Sequence, residues 1–137
     1  MKRILLIDDE PDIIEYLKYH LLNNLNVEVE SYQDGHLALT PMLKRNFDLI
    51  LTDLRMRELD GASFIQFATS HPLTCDIPVI VITGMVMDQK SKEELKRLKV
   101  CHVLQKPIST TNLKSFIENI LGDSIYEKQS DKTLQSL

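Results

Sequence analysis

The stretch FDLILTDLRMRELDG, residues 47–61, begins like a buried strand and ends like a polar turn. Its apolar run, residues 49–51, leads through Thr52 directly into Asp53. A continuous apolar run is typical of a strand covered on both faces, as in a parallel sheet. Asp53 is therefore either a simple polar cap on this strand or a group that does chemistry at its end.

The two other aspartates of the stretch have ordinary structural explanations. Asp48 lies at the opposite end of the predicted strand from Asp53, so we predict a structural role for it. Asp60 precedes Gly61 and a helical pattern, where a carboxylate suits the start of a helix.

The composition is that of one globular domain. The chain has 137 residues, of which 43% are hydrophobic and 26% charged, with a net charge of −4. This length can bury a substantial core, and the acidic balance gives no reason to expect direct nucleic-acid binding. No apolar run approaches the roughly 18–20 residues of a membrane span. The apolar run 4–7 near the start is too short for a secretory signal, so we predict a cytoplasmic protein without membrane contact.

The cysteines and histidines form no metal-binding pattern. Cys75 and Cys101 lack the CxxC spacing, and we interpret them as reduced thiols that are buried or half-buried. The four histidines are scattered along the chain, and we expect each of them at the surface or at an edge of the sheet.

Short apolar runs predict a set of five strands. The predicted strands are residues 4–7, 27–30, 49–51, 79–82 and 100–104. Four of them are continuously apolar, the last more weakly, which indicates burial on both faces. The second alternates between valine and glutamate, which favours a half-exposed edge strand.

Helical periodicity fills the intervals between the strands. The predicted helices are residues 12–23, 35–45, 62–70, 89–98 and 111–121. Pro11 suits the first position of the first helix, and Gly122 is a natural stop for the last. Pro41 removes a helical hydrogen bond and disfavours helix at Thr40, so we expect the second helix to be kinked or split.

The alternation of strands and helices predicts an α/β fold. It has the (βα)5 pattern of a three-layer sandwich around a five-stranded parallel sheet. We assign residues 1–122 to this domain. Residues 123–137 are polar with poor periodicity, and they suit a disordered tail, an extension of the last helix or a linker.

Polar side chains follow four of the predicted strands. They are Asp8 and Asp9, Asp53, Thr83 and Lys106. In an open parallel sheet, ligands bind outside the carboxyl ends of the strands, where the strand order reverses. For the order 2-1-3-4-5 that point lies between the first and third strands, which both end in carboxylates. We therefore predict that the three aspartates share one site, flanked by the threonine and the lysine.

The chemistry of this set favours phosphoryl transfer. Three carboxylates repel one another unless a cation lies among them, and Mg²⁺ binds carboxylates while leaving positions for phosphate oxygens. Lys106 offers a positive charge and Thr83 a hydroxyl donor. Each group alone has a common explanation as a cap or turn. Together they form a site for transfer of a phosphoryl group onto a carboxylate.

Four segments carry a family resemblance. ILLIDDEPD (4–12), DLILTDLRMRELDG (48–61), IPVIVITG (77–84) and VLQKPI (103–108) resemble, in order and spacing, the receiver domain of two-component response regulators. The resemblance covers residues 2–121. It implies a flavodoxin-like sheet and a self-phosphorylating phosphoacceptor with slow autodephosphorylation, rather than a conventional enzyme.

The resemblance also implies roles for the residues of the site. Asp53 matches the phosphoacceptor, which takes its phosphoryl group from a phosphohistidine of a sensor kinase or a histidine phosphotransfer protein. Asp9 matches a direct ligand of Mg²⁺ (or Mn²⁺), Asp8 a ligand acting largely through water, and the backbone carbonyl of Arg55 the third protein ligand.

Further positions match groups that contact the phosphoryl oxygens and support them. Thr83 matches the switch hydroxyl and Lys106 the contacting lysine, with Gly84 and Pro107 in the supporting loops. The bond from Lys106 to Pro107 is usually cis in the family, whereas sequence alone favours trans, because only about 5–6% of X–Pro bonds are cis.

Two positions depart from the family pattern. Arg57 stands where the family usually has proline, and Val103, with His102 beside it, stands where the family has a switch tyrosine or phenylalanine. The resemblance implies an output surface on the fourth helix, fifth strand and fifth helix. Its partner is a downstream protein, an output domain or a second copy in a homodimer.

Two alternatives stay open at this point. A phosphatase with an aspartyl nucleophile, similar to the haloacid dehalogenase family, needs a DxD motif, whereas this chain has Asp8-Asp9-Glu10. A non-phosphorylated binding module on the same fold would have lost one or more site residues, and all five positions are filled.

Overall fold

The computed structural model describes residues 1–54 and 60–122. Within these ranges five strands and five helices alternate along the chain. The strands are β1 (Lys2–Ile7), β2 (Val27–Tyr32), β3 (Leu49–Asp53), β4 (Val79–Thr83) and β5 (Val100–Gln105). The helices are α1 (Pro11–Asn24), α2 (Gly35–Lys44), α3 (Gly61–Ser70), α4 (Gln89–Arg97) and α5 (Thr110–Leu121). The predicted (βα)5 pattern is confirmed.

The strands form one parallel sheet in the order β2-β1-β3-β4-β5, as predicted. Strands β1 and β3 are neighbours, and Ile7 pairs in register with Thr52. Asp8 and Asp53 follow these two residues directly. The register therefore places both carboxylates at the same end of adjacent strands.

The core lies on both faces of the sheet. Successive residues of a strand point to opposite faces, so Val79 and Val81 pack with α2, α3 and α4, while Ile80 and Ile82 pack with α1 and α5. Every residue of β3 and β4 is buried. The continuous apolar runs in these strands follow from this burial on both faces.

Strand β5 corrects one prediction. We expected residues 100–104 to be covered on both faces, but exposed residues alternate with half-buried ones along β5. The reason is that β5 is an edge strand and that α4 buries a single residue, Leu95, against the sheet. Cys101 is consequently exposed, whereas Cys75 is half-buried as expected.

Helix α2 narrows a second prediction, that Pro41 kinks or splits it. Pro41 lies inside one uninterrupted helix, so the expected split is not found. A proline in a helix interior costs about 3 kcal/mol, mainly through one lost hydrogen bond and a clash with the preceding turn. Ala38 and Met42, on either side of it, are buried and hold both halves of the helix against the sheet. Tertiary packing therefore outweighs the local preference.

Side-chain caps mark the start of four helices. The capping residues are Asp34, Asp60, Asp88 and Ser109, each accepting a hydrogen bond from a backbone N–H in the first turn. Such a cap is worth about 1 kcal/mol. The prediction that Asp60 suits the start of a helix is confirmed, since its carboxylate accepts the Ser63 N–H at 2.7 Å.

Asp48 has the structural role that we predicted. Its carboxylate accepts a hydrogen bond from the backbone N–H of Arg3 at 2.8 Å, and its own N–H donates to the Arg3 carbonyl at 2.8 Å. These contacts join β1 to the beginning of β3, at the opposite end of the strand from Asp53. Among the described residues, no helix is both long and apolar enough to cross a membrane.

The residue after the C-cap of α4 has an unusual backbone conformation. Lys99 has a φ of 62°, and its N–H donates to the Lys96 carbonyl at 3.0 Å. The left-handed region costs a residue with a Cβ about 1–2 kcal/mol, which exceeds the entropy that glycine loses on folding, about 0.5–1 kcal/mol.

We therefore expect Lys99→Gly to raise the free energy of unfolding by roughly 0.5–1 kcal/mol in urea denaturation. The matched control is Lys92→Gly, an exposed position within α4, which should lower it by about 1 kcal/mol. Equal destabilisation by both variants would contradict this account of Lys99.

Candidate functional site

The carboxyl ends of β1, β3, β4 and β5 surround a cleft of about 260 Å³. The residues lining it are Asp9, Glu10, Asp53, Thr83, Gly84, Met85 and Lys106. Buried strand interiors exclude polar side chains, so the polar groups collect where the strands end. The structure thus brings together residues from four separate segments, as the sequence predicts.

Two aspartates of the site are buried. The exposed fraction is 1% for Asp8 and 5% for Asp53. Oδ1 of Asp8 accepts the backbone N–H of Glu10 at 2.9 Å. Oδ2 of Asp8 lies 3.0 Å from Nζ of Lys106, but within the described residues this buried oxygen takes part in no well-aligned hydrogen bond. Asp8 therefore keeps one oxygen directed at a positive charge.

The side-chain ammonium of Lys106 contacts several carboxylates of the site. Its Nζ donates to Oδ2 of Asp53 at 3.0 Å and to Oε1 of Glu10 at 3.2 Å, and its side chain is only 14% exposed. Its backbone N–H donates to the carbonyl of Thr83 at 2.8 Å. This last contact ties the loop after β5 to the end of β4 and positions the lysine side chain.

Burial and charge shift the pKa values of these groups. Burial raises the pKa of the Asp8 carboxyl, and this effect exceeds the opposing effects of the Glu10 N–H and of Lys106. For Lys106, burial alone would lower the pKa. The contacts with Asp8 and Asp53 outweigh burial and raise it, so the ammonium stays protonated.

The donor set fits a hard divalent cation. Carboxylate oxygens of Asp8, Asp9, Glu10 and Asp53 lie within 4.8 Å of one another, and Lys106 neutralises only one of these four charges. Mg²⁺ prefers oxygen ligands of this kind. The Asp8 oxygen that lacks a hydrogen bond supplies a buried lone pair for such an ion.

Thr83 is buried at the end of β4 beside the cleft. Its hydroxyl oxygen accepts the backbone N–H of Met85 at 3.1 Å, which shapes the turn through Gly84. The Thr83 hydroxyl thus holds the first residues of the loop that leads from β4 to α4.

The remaining predicted residues lie only partly within the described ranges. The peptide bond from Lys106 to Pro107 is cis, as the resemblance implies. Val103 lies on β5, is 39% exposed and does not line the cleft. Arg55 and Arg57, and the tail 123–137, lie outside the described residues.

Sequence reasoning missed two residues of the site. Glu10 contacts Lys106, and the available signal was its place directly after the acidic pair. Gly61 approaches the end of β3 so closely that a Cβ on it would overlap the Asp53 carbonyl and lie 2.6 Å from Cα of Leu54. Its N–H donates to the Leu54 carbonyl at 2.9 Å. The glycine therefore lets α3 begin against the strand that carries Asp53.

Comparison with known proteins agrees with this geometry. Residues 4–118 match the family described as response regulator receiver domain. The chain belongs to this family. Receiver domains act as phosphoacceptor switches in two-component systems, with histidine kinases or phosphotransfer proteins and output domains as partners, and they generally bind Mg²⁺ at an acidic pocket.

Individual proteins show the same likeness. The chain is 30% identical over 132 residues to the 3′,5′-cyclic-nucleotide phosphodiesterase regA of Dictyostelium discoideum, covering 95% of this chain. It spans 12 to 16% of the length of the first curated relatives, and 16% of regA.

Solved receiver structures have the same fold. The Vibrio cholerae chemotaxis protein CheY4 is 25% identical, with a TM-score of 0.81, over 88% of this chain and 98% of its own. The receiver domain of the sensor histidine kinase PA1611 from Pseudomonas aeruginosa, described with a magnesium ion in its active site cleft, is 24% identical. Its TM-score is 0.79, over 89% of this chain and 98% of its own, and at this identity it shows the fold alone.

We expect Gly61→Ala to lower the free energy of unfolding by about 1–3 kcal/mol, because the added Cβ must displace the backbone of β3. Gly84→Ala is the matched control, since a Cβ there meets nothing within 4 Å. Its stability should stay the same or rise by up to about 1 kcal/mol. Equal urea midpoints for the two variants would contradict the close approach at Gly61.

The raised pKa of Asp8 predicts a pH dependence without metal. Because folding favours the protonated carboxyl, the wild type loses stability as the pH rises through and above the ordinary aspartate range. Asp8→Asn removes this loss. The free energy of unfolding of the variant should therefore increase relative to that of the wild type as the pH rises from 4 to 7. Urea denaturation in EDTA at several pH values measures it, and a constant difference across these pH values would contradict it.

Proposed function

We propose that this chain is a phosphorylation-controlled signalling switch whose phosphoacceptor is Asp53. A phosphohistidine of a sensor kinase or a histidine phosphotransfer protein donates the phosphoryl group in a Mg²⁺-dependent step. The observation that carries the proposal is the position of Asp53, a residue 5% exposed whose carboxylate lies 3.0 Å from the Lys106 ammonium within an acidic cleft. We assign residues 1–122 to this function and residues 123–137 to a tail or linker.

The chemistry requires little beyond positioning and charge. A carboxylate oxygen of Asp53 forms a bond to phosphorus while the bond from phosphorus to the histidine nitrogen breaks, and its electron pair stays on the imidazole. Lys106 lies where its ammonium can attract the phosphoryl oxygens. A bound Mg²⁺, held by Asp8, Asp9, Asp53 and the Arg55 carbonyl, would neutralise charge on those oxygens.

The switch begins at Thr83. A phosphoryl group on Asp53 adds negative charge and acceptor oxygens beside the Thr83 hydroxyl. If this hydroxyl turns towards them, it gives up its bond with the Met85 N–H and the loop into α4 moves. The affected surface comprises α4, β5 and α5. A downstream protein, an output domain or a second copy of the chain binds there.

The readout on β5 differs from the usual family pattern. Val103 replaces the aromatic residue and is 39% exposed. The ring of its neighbour His102 instead lies 4.1 Å from the ring of Phe116 on α5. The switch in this chain therefore acts without a tyrosine or phenylalanine rotamer at position 103.

The Asp53→Asn variant tests the proposal. Incubation with radiolabelled acetyl phosphate and Mg²⁺ should label the wild type, while the variant loses nearly all of the label and EDTA abolishes it in both. Asp48→Asn is the matched control, because Asp48 lies at the other end of the same strand and should keep wild-type labelling. Full labelling of Asp53→Asn would overturn the assignment. Steady turnover of p-nitrophenyl phosphate by the wild type would instead favour the phosphatase.

A further inference from the structure

Three carboxylates share the Lys106 ammonium. Nζ lies 3.0 Å from Asp8 Oδ2, 3.0 Å from Asp53 Oδ2 and 3.2 Å from Glu10 Oε1. All three carboxylates also belong to the acidic group that fits a divalent cation. The ammonium and such a cation therefore compete for the same oxygens, and their like charges repel at this distance.

Glu10 differs from the other two partners in its position. Its side chain is 59% exposed, whereas that of Asp8 is 1% exposed, so Glu10 lies on the solvent side of the ammonium. Its backbone N–H at the same time holds Oδ1 of Asp8 at 2.9 Å. Glu10 thus orients Asp8 through its backbone and offers Lys106 a third carboxylate partner on the solvent side.

We propose that Glu10 is a positioning residue that keeps Lys106 on the outer side of the cleft. When a divalent cation binds, the ammonium releases Asp8 and remains between Glu10 and Asp53, where it still faces an incoming phosphoryl group. Without the Glu10 carboxylate, Lys106 depends on Asp8 and Asp53 alone and competes more strongly with the cation. This inference rests on the proposed function and adds a residue that sets its metal affinity.

The Glu10→Gln variant isolates the side-chain charge, because its backbone N–H can still hold Asp8. Mg²⁺ affinity, measured by isothermal titration calorimetry, should fall about twofold to fivefold, the range of a partly exposed ion pair. Glu15→Gln is the matched control, since Glu15 is an exposed glutamate of α1 and should keep wild-type affinity.

A double-mutant cycle separates this mechanism from simple attraction between Glu10 and the cation. If Glu10 acts through Lys106, Glu10→Gln has no effect on Mg²⁺ affinity in a Lys106→Met background. If the fall in affinity persists in that background, or if Glu10→Gln alone binds Mg²⁺ like the wild type, the proposal is overturned.

A metal-free measurement tests the same contact without Lys106→Met, in case that variant does not fold. In EDTA, the side-chain ammonium signal of Lys106 in ¹⁵N NMR should shift in Glu10→Gln and stay unchanged in Glu15→Gln. An unchanged signal in Glu10→Gln would overturn the proposal. Failure of the proposed function would look different, because the wild type itself would then bind no Mg²⁺ or take no label on Asp53.

Discussion

The site depends on the balance of charge around one ammonium group. Lys106 touches Asp8, Asp53 and Glu10, and its side chain is nearly buried among them. Within the part of the chain that the structure describes, four neighbouring carboxylates surround the single ammonium of Lys106 and leave the cleft acidic. A buried carboxylate in this position is costly unless a cation approaches, as the raised pKa of Asp8 indicates. A divalent cation would offset part of this cost of burial if it bound among these oxygens.

The sheet creates this balance through burial and register. Strands β3 and β4 are buried along their whole length, and the polar side chains of the site lie where these strands and β1 end. The pairing of Ile7 with Thr52 then sets Asp8 beside Asp53, and the contact between the Lys106 N–H and the Thr83 carbonyl directs the lysine inwards. Gly61 completes the arrangement by allowing α3 to begin against the end of β3.

Most of the fold and most of the site could be predicted, and the failures have physical causes. Continuous apolar runs identified β1, β3 and β4, because both of their faces are covered. The same rule failed for β5, which lies at the edge beneath a helix with one buried residue. Helix α2 is not split at Pro41, because Ala38 and Met42 on either side of the proline are buried and hold both halves of the helix against the sheet. Glu10 was missed because nothing in a DDE sequence tells which of the three carboxylates reaches a lysine 96 residues away.

The sequence by itself determined the alternation of strands and helices and the polar residues that follow each strand. These properties depend on local periodicity and on neighbours a few residues apart. Only the tertiary structure decided which of those residues meet. Asp53 and Lys106 are 53 residues apart in the chain, and their 3.0 Å contact depends on strand order, register and a loop held by the Thr83 carbonyl. In FDLILTDLRMRELDG, the position of Asp53 at the end of a buried strand can thus be predicted from the sequence. The charges that surround its carboxylate are a property of the folded sheet.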